Sequence, residues 1–285
     1  MRVLVIGAGG QLARSIACCV PSVGADDYLF ADKQELDITD REKVISYIAE
    51  QEVDVIVNCA AYTDVERAES EESVAYLLNA TAVGFLAEAA KSCDALLIHI
   101  STDYVFMGGC CTMLTEESHP QPINAYGRTK LAGEEMVRAS GCHHIILRTA
   151  WLYSEYGNNF VKTILRLTSE RDAISVVDDQ LGTPTYAGDL AEAIVKIISE
   201  RNFREGTYHY TNIGECSWWQ FACEIARLAG HDKCRIAPCT TADYPTKARR
   251  PLNTVLDKSK FIRTFNMEIP MWRESLKKYI DGLQT

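Results

Sequence analysis

The chain has 285 residues, of which 47% are hydrophobic, so it is long and apolar enough to bury a substantial core rather than remain disordered. Its formal net charge of -10 argues against a nucleic-acid-binding protein, because phosphate backbones are held mainly by clustered Lys and Arg side chains.

Targeting segments and metal sites are not expected from the sequence. The apolar residues 3–6 are too few for a signal peptide or a membrane span, and no other apolar run approaches spanning length. The 11 cysteines are an odd number without a C-x-x-C pair, and adjacent pairs such as Cys18/Cys19 and Cys110/Cys111 do not form the usual arms of a zinc site. We therefore expect a cytoplasmic protein with reduced thiols, no membrane partner and no metal site.

Short β-branched runs alternate with amphipathic segments in the first half of the chain. The predicted strands are residues 3–6, 28–31, 53–58, 95–101 and 145–148. The predicted helices are residues 11–20, 41–51, 73–91 and 126–139. Because this alternation builds right-handed crossovers between parallel strands, it predicts an α/β fold with a doubly wound, Rossmann-type parallel sheet.

The pattern of predicted elements changes in the second half of the sequence. A strand over 174–177 and a helix over 189–200 are predicted first, and short strands, aromatic residues and prolines follow after about residue 206. We expect a dinucleotide-binding domain formed by residues 1–150 and about 174–205. A smaller C-terminal substrate lobe would comprise about 151–173 and 206–285.

A glycine-rich turn directly follows the first predicted strand and opens a helix. Gly7, Gly9 and Gly10 allow the backbone to approach a pyrophosphate closely, and Gln11 and Leu12 begin the helix whose N-terminus favours its negative charge. The motif predicts a dinucleotide site, although a turn without a ligand would have the same composition.

The second strand ends in Asp32, about 20 residues after the glycine turn, where a carboxylate can accept hydrogen bonds from a ribose hydroxyl. This position favours NAD. Lys33 and Arg14 can instead balance a ribose phosphate, so NADH and NADPH both remain open.

Two further segments are expected near the cofactor. Asp37 and Ile38 precede a helix that Thr39 or Asp40 would cap, and we expect one of the first two to contact the adenine in addition. Residues 58–63 end the apolar run that begins at residue 53, and several of them are small. They would let a dinucleotide lie against Ala60, Ala61 and Tyr62, although a crowded core is a competing interpretation.

Three side chains have the chemistry of carbonyl reduction. Tyr126 and Lys130 are four residues apart, so a helix places the phenol and the ammonium on one face. A nearby cation favours the phenolate, and we expect Lys130 to lower the pKa of Tyr126. Thr102 follows an apolar strand, at the sheet edge where ligands bind, and can polarise a substrate carbonyl together with Tyr126.

In this order, the motifs resemble those of the extended short-chain dehydrogenases, most closely the subfamily that reduces dTDP-linked 4-keto sugars. The matching blocks extend nearly end to end and comprise residues 7–13, 58–63, 101–106, 126–130, 148–153, 180–190 and 250–254. Two departures are Ala13 in place of a third glycine and the stretch 107–111, which is less polar than the subfamily's pattern.

The resemblance implies reduction of dTDP-4-dehydro-L-rhamnose to dTDP-L-rhamnose by NADPH or NADH, for surface polysaccharide synthesis. It assigns Tyr126 as proton donor, Lys130 as the group that tunes it and holds the nicotinamide ribose, and Thr102 as the group that orients the carbonyl. The substrate site would also contain Asp103, Tyr104, Trp151 and Arg250. Mg²⁺ and a homodimer occur among relatives, but no carboxylates can be matched to a Mg²⁺ site.

Two alternatives keep the fold. One is another nucleotide-sugar reductase, or an epimerase that retains its cofactor. The other is a non-catalytic, NADP-binding regulatory subunit similar to the beta subunit of methionine adenosyltransferase. The intact Thr102, Tyr126 and Lys130 argue against the second alternative.

Overall fold

The computed structural model describes residues 1–20, 26–109 and 113–283. Its strands are β1 (Arg2–Ile6), β2 (Asp27–Ala31), β3 (Val55–Asn58), β4 (Leu96–Thr102), β5 (His144–Thr149), β6 (Leu152–Tyr153), β7 (Ala173–Val177), β8 (Leu181–Gly182), β9 (Thr185–Tyr186), β10 (Gly206–His209), β11 (Cys216–Ser217) and β12 (Arg235–Cys239). Its α-helices are α1 (Gln11–Cys19), α2 (Arg41–Glu50), α3 (Val65–Ala68), α4 (Glu72–Tyr76), α5 (Ala82–Ser92), α6 (Ala125–Ser140), α7 (Phe160–Glu170), α8 (Ala187–Ser199), α9 (Trp218–Ala229), α10 (Ser259–Phe265) and α11 (Trp272–Leu283). A π-helical turn (Leu77–Thr81) joins α4 to α5.

Six parallel strands form the central sheet in the order β10-β5-β4-β3-β1-β2. Helices cover both faces, as continuous apolar strands such as β1 require. The expected doubly wound parallel sheet is therefore confirmed. Because the chain leaves β1 toward β2 on one side and continues from β3 on the other, the carboxyl ends of β1 and β3 flank a topological switch point, where such sheets bind ligands.

Alternate residues of β1 enter two different cores. Val3 and Val5 pack on the side covered by α1, α8 and α10, whereas Leu4 and Ile6 pack on the side covered by α2, α5 and α6. All four side chains are at most 2% exposed. The period-two direction of strand side chains thus anchors helices from both halves of the chain to one sheet.

Two strands of the second half lie in sheets other than expected. Strand β7 pairs in parallel with β12 in a separate two-stranded sheet, although we expected residues 174–205 to belong to the dinucleotide-binding domain. Strand β10 is the edge strand of the central sheet, although residues from 206 onward were expected in the smaller lobe. An apolar run predicts a strand but not its pairing partner, which depends on tertiary packing. The domain boundaries themselves stay a prediction.

The smaller lobe has an aromatic core of its own. Phe221 packs edge-on against Trp272 with ring centroids 5.6 Å apart, and Tyr153 packs edge-on against Tyr279 at 5.3 Å. Ser217 and Gln220 form a reciprocal capping box that starts α9 after β11. This helix carries Phe221 into the core.

One helical stretch among the described residues, Glu72–Ser92, is long and apolar enough to cross a membrane by length and composition, which our reading of apolar runs overlooked. Half of its 18-residue window is buried inside the fold, and buried core helices of soluble proteins pass the same test. The finding is therefore weak evidence for a span.

The nine cysteines within the described residues are unpaired. Cys110 and Cys111 lie outside the described residues.

Candidate functional site

A cleft of about 780 Å³ opens at the carboxyl ends of β1, β3, β4 and β5. The residues from the sequence analysis that line it are Gly7, Gly9, Gly10, Gln11, Leu12, Asp32, Ala60, Ala61, Thr102, Asp103, Tyr104, Tyr126, Lys130, Trp151 and Arg250. The folded chain thus brings the glycine turn and the three candidate catalytic side chains to one place.

The glycine turn lies at one end of this cleft. Gly7 has a φ of +86°, and a Cβ there would lie 2.9 Å from the backbone nitrogen of Ala60, so only glycine fits without movement. Gly10 is the N-cap of α1 and provides no side chain to cap it. The first amides of α1 therefore have no side-chain cap at Gly10, an arrangement that fits a pyrophosphate.

Gln11 joins the glycine turn to the loop after β6. Its side-chain oxygen accepts hydrogen bonds from the Ser154 hydroxyl at 3.1 Å and from the Asn159 amide at 3.0 Å. Gly157 and Asn158, in the same loop, also line the cleft. This loop therefore encloses the N-terminus of α1, a role that sequence reasoning missed because loops carry no periodic signal.

Asp32 and Lys33 both lie on the cleft wall. The Asp32 carboxylate accepts hydrogen bonds from the backbone amides of Gln34 at 2.7 Å and Glu35 at 3.3 Å, which fixes the turn after β2. Lys33 is 82% exposed, and its ammonium lies 3.9 Å from the Asp37 carboxylate. A ribose hydroxyl and a ribose phosphate therefore each find a suitable group here.

Three residues expected at the cofactor are not among those lining the cleft. Ile38 is a core residue, 5% exposed, and the Asp37 carboxylate accepts hydrogen bonds from the backbone and hydroxyl of Thr39, which hold its pKa below the usual range. The Tyr62 hydroxyl donates to Glu71 at 2.6 Å. These side chains are therefore engaged in local hydrogen bonds or in the core. Asp40, one of the two residues expected to cap α2, does cap this helix.

Helix α6 positions Tyr126 in its first turn. The Asn124 side chain caps this helix by accepting from the Gly127 amide at 2.8 Å. A Cβ at Gly127 would lie 2.1 Å from the Tyr104 carbonyl oxygen, so α6 approaches the segment after β4 more closely than other residues permit. The Tyr104 and Tyr126 rings meet edge-on at 5.9 Å. The phenol is thereby placed beside the end of β4.

Lys130 lies one turn further along α6 and is 2% exposed. Its ammonium donates a hydrogen bond of 2.7 Å to the carbonyl oxygen of Ile100 in β4. Burial lowers the pKa of Lys130 to about 8, because desolvation disfavours the charged form.

The pKa of Tyr126 is raised, whereas we expected Lys130 to lower it. Burial is the main cause, and a hydrogen bond with the Thr102 hydroxyl opposes it only partly. The Lys130 ammonium is hydrogen-bonded to Ile100 instead. At neutral pH the phenol is therefore protonated and can act as a proton donor.

A network of hydrogen bonds orients Thr102. Its hydroxyl donates to the Asp103 carboxylate at 3.0 Å and accepts from the Tyr104 amide at 3.2 Å, and the Thr254 hydroxyl donates to the other Asp103 oxygen at 2.5 Å. Burial raises the pKa of Asp103 to about 6, against the effect of these hydrogen bonds. Asp103 thus fixes Thr102 rather than merely facing the cleft.

Arg250 lies where the cleft meets the loop after β12. Its guanidinium donates to Glu66 at 2.9 Å, while its buried Nε has no hydrogen-bond partner among the described residues. A buried donor without a partner is costly, and an anionic group in the cleft would satisfy it. Arg250 therefore lines the cleft, and its role in binding the substrate stays a prediction.

Trp151 and Trp218 form an aromatic wall of the cleft. Trp151 adopts a left-handed φ of +48°, and its ring stacks on Trp218 with centroids 3.5 Å apart and planes 13° apart. Trp218 also packs against the aromatic core of the smaller lobe. Adjacent helical residues point in different directions, and the neighbouring Trp219 donates its indole N–H to the Ile236 carbonyl at 3.1 Å.

Within residues 1–20, 26–109 and 113–283, no group of three or more His, Cys, Asp or Glu side chains is arranged to hold a metal ion.

Comparisons with known proteins agree on one family. The family model described as RmlD substrate binding domain matches residues 1–285. A dTDP-4-dehydrorhamnose reductase of Aggregatibacter actinomycetemcomitans is 42% identical, with 97% of each chain covered. The crystal structure of a dTDP-4-dehydrorhamnose reductase from Clostridium acetobutylicum has a TM-score of 0.96 and 44% identity, with 100% of both chains covered.

A second solved structure carries a ligand. The dTDP-4-dehydrorhamnose reductase of Bacillus anthracis, in complex with NADP, has a TM-score of 0.93 and 39% identity and covers 100% of this chain and 99% of its own. The expected family is confirmed: this chain belongs to the dTDP-4-dehydrorhamnose reductases, a branch of the extended short-chain dehydrogenases.

Proposed function

We propose that this chain reduces the C4 keto group of dTDP-4-dehydro-L-rhamnose to give dTDP-L-rhamnose, with NADPH or NADH as the reductant. The convergence of Thr102, Tyr126 and Lys130 in the cleft that also contains the glycine turn is the observation that carries the proposal. The names of its relatives, at 42% and 44% identity over nearly the whole chain, support the same substrate.

The chain's own groups would hold the cofactor along the cleft. The uncapped N-terminus of α1 and the glycine turn suit the pyrophosphate, Asp32 or Lys33 suits the adenosine ribose, and Lys130 suits the nicotinamide ribose. A bound reduced nicotinamide supplies the hydride.

Tyr126 would give its phenolic proton to the C4 oxygen as negative charge develops there. Its raised pKa keeps the proton on the phenol until a stronger base forms beside it. Thr102, held at the end of β4 by Asp103 and the Tyr104 amide, would turn its hydroxyl proton from Asp103 to the same oxygen. Lys130, as an ammonium, would stabilise the phenolate left on Tyr126.

The other wall would bind the nucleotide sugar. Arg250 offers a partly buried guanidinium to the diphosphate, and the stacked Trp151 and Trp218 offer a flat apolar surface. Tyr104 narrows the cleft beside Tyr126. A cytoplasmic location and a homodimer stay predictions.

Oxidation of NADPH or NADH in the presence of dTDP-4-dehydro-L-rhamnose, made in situ, tests the proposal. We expect turnover by the wild type and a loss of about 100-fold or more in Tyr126→Phe, because the proton donor is removed. Tyr47→Phe, on helix α2 away from the cleft, is the matched control. A Tyr126→Phe variant with full activity would refute the proposed proton donor.

Two other outcomes separate the alternatives. Interconversion of a nucleotide sugar without net consumption of added cofactor would identify an epimerase. Cofactor binding without turnover, together with co-purification of a synthetase, would favour the regulatory subunit.

A further inference from the structure

The face of helix α6 that carries Tyr126 and Lys130 extends for one more turn. Tyr126, Lys130 and Glu134 follow one another at intervals of four residues, which places them on one side of the helix. Glu134 is 0% exposed, although a buried carboxylate is rare unless it is paired. Its burial one helical turn beyond Lys130 has no explanation in the proposed proton transfer.

Two arginines hold Glu134 in its ionised form. Arg148 of β5 donates two hydrogen bonds to the carboxylate, at 2.9 Å and 2.7 Å, and Arg138 donates one at 2.6 Å. Burial alone would raise the pKa of Glu134, but the hydrogen bonds and charges of these arginines lower it below the usual range. The carboxylate is therefore an anion locked in one position.

We propose that Glu134 is the buried counter-charge of Lys130: a positioning residue that keeps the ammonium charged inside the cleft wall, while Arg148 and Arg138 fix its carboxylate.

Among the described residues, the other two groups that interact electrostatically with Lys130, Cys59 and His99, provide no negative charge at neutral pH. Cys59, at the end of β3, has a pKa raised by burial to about 12, and His99 of β4 has a pKa lowered well below its usual value by burial. Both are neutral at neutral pH, as is Tyr126. Glu134 is the anion whose charge opposes the effect of desolvation on Lys130. Arg148, on β5, has its charge directed at Glu134.

A buried ion pair can also serve packing alone, so the decisive measurement is a pH profile. If Glu134 keeps Lys130 charged, Glu134→Gln moves the basic limb of kcat/KM to lower pH by about one unit. Glu135→Gln removes the same charge from the exposed neighbouring position and should leave the limb unchanged. A purely structural role would lower kcat/KM without moving the limb.

This inference rests on the proposed function, so cofactor binding gives a second readout. NADPH fluorescence titrations across the same pH range should show the same shift of the basic limb in Glu134→Gln. Absence of turnover in the wild type would refute the proposed substrate, whereas unchanged pH profiles in an active variant would refute the counter-charge.

Glu134→Gln leaves Arg148 buried without its partner and is at risk of unfolding. The double variant Glu134→Gln, Arg148→Met removes both charges and should fold while keeping the shifted limb. Glu134→Asp retains the anion and should restore the basic limb toward that of the wild type. A wild-type limb in the double variant overturns the proposal.

Discussion

At the scale of the single residue, Lys130 shows how a catalytic group weakens the fold that carries it. Its pKa is lowered by burial from 10.5 to about 8, so between these values the unfolded chain binds more protons than the folded one. Stability therefore rises with pH in this window, and the penalty is complete below about pH 8. Its size is about 3 kcal/mol, since each pKa unit corresponds to about 1.4 kcal/mol.

Lys130→Met should therefore stabilise the protein while it abolishes reduction. Loss of the hydrogen bond to the Ile100 carbonyl costs about 1 kcal/mol, which leaves a net gain of about 2 kcal/mol at neutral pH. The gain should fall as pH rises through the window and become a loss of about 1 kcal/mol above it, where only the missing hydrogen bond remains. Urea unfolding at neutral pH and at about pH 10 measures both values.

The exposed Lys277→Met is the control and should change the free energy of unfolding little at either pH. A Lys130→Met variant that is less stable than the wild type at neutral pH would show that the ammonium is well compensated in the folded state.

Single residues were predictable from the sequence where a motif has one chemical use. The glycine turn, Thr102, Tyr126 and Lys130 were placed at one cleft because spacing and strand ends fix their positions. Trp218 packs against the core of the smaller lobe and also lines the cleft, while Ile38 is buried and its contact with the adenine stays a prediction. A single apolar or aromatic residue beside a loop carries no signal for how much of its side chain faces the cleft. The raised pKa of Tyr126 depends on burial, which no local pattern reveals.

At the scale of the element, the junction between the π-helical turn and α6 fixes the catalytic helix. A Cβ at Gly133 would lie 2.1 Å from the Asn79 carbonyl oxygen, so α6 rests on the backbone of the turn. Asn79 itself donates to Thr129 in α6 and binds both backbone groups of Tyr62. The sequence predicted one helix over 73–91, since a π turn preserves the apolar composition while it changes the direction of the side chains.

Gly133→Ala should destabilise the protein by about 2 kcal/mol, because overpacking against backbone cannot be relieved by rotating a side chain. Gly84→Ala in α5 is the matched control: its Cβ would meet the Met136 side chain at 3.7 Å, an ordinary contact. Higher helix propensity should then stabilise this control by up to about 1 kcal/mol. Urea denaturation of both variants gives the comparison.

Activity adds a second test of this junction. Displacement of α6 moves Tyr126 and Lys130 together, so Gly133→Ala should lower kcat more than Gly84→Ala does. Equal stability and activity in the two variants would mean that the π-helical turn shifts at little cost in free energy to accommodate the added methyl group on α6.

At the scale of the whole molecule, the two halves of the chain share one hydrophobic core, which the order of elements along the sequence does not show. The core on one face of the sheet contains β10, α8 and α10 beside β1 and α1, so residues after 187 complete the fold of residues 1–150. Alternation of elements predicted the sheet, but strand order and the return of β10 depend on contacts distant in sequence. Contacts between residues distant in sequence produce no periodic pattern of apolar residues along the chain.

The shared core leads us to expect one cooperative unfolding transition. All 4 tryptophans, at positions 151, 218, 219 and 272, belong to the cluster of the smaller lobe, so tryptophan fluorescence reports on that lobe alone. Far-UV circular dichroism reports on all helices. The two midpoints in urea should coincide, because the lobe cannot detach without exposing the core shared by β10 and α8. A fluorescence transition at lower urea concentration would instead show that the smaller lobe unfolds independently. The hydrogen bonds that Gln11 accepts from Ser154 and Asn159 would then be the first contacts to test by mutation.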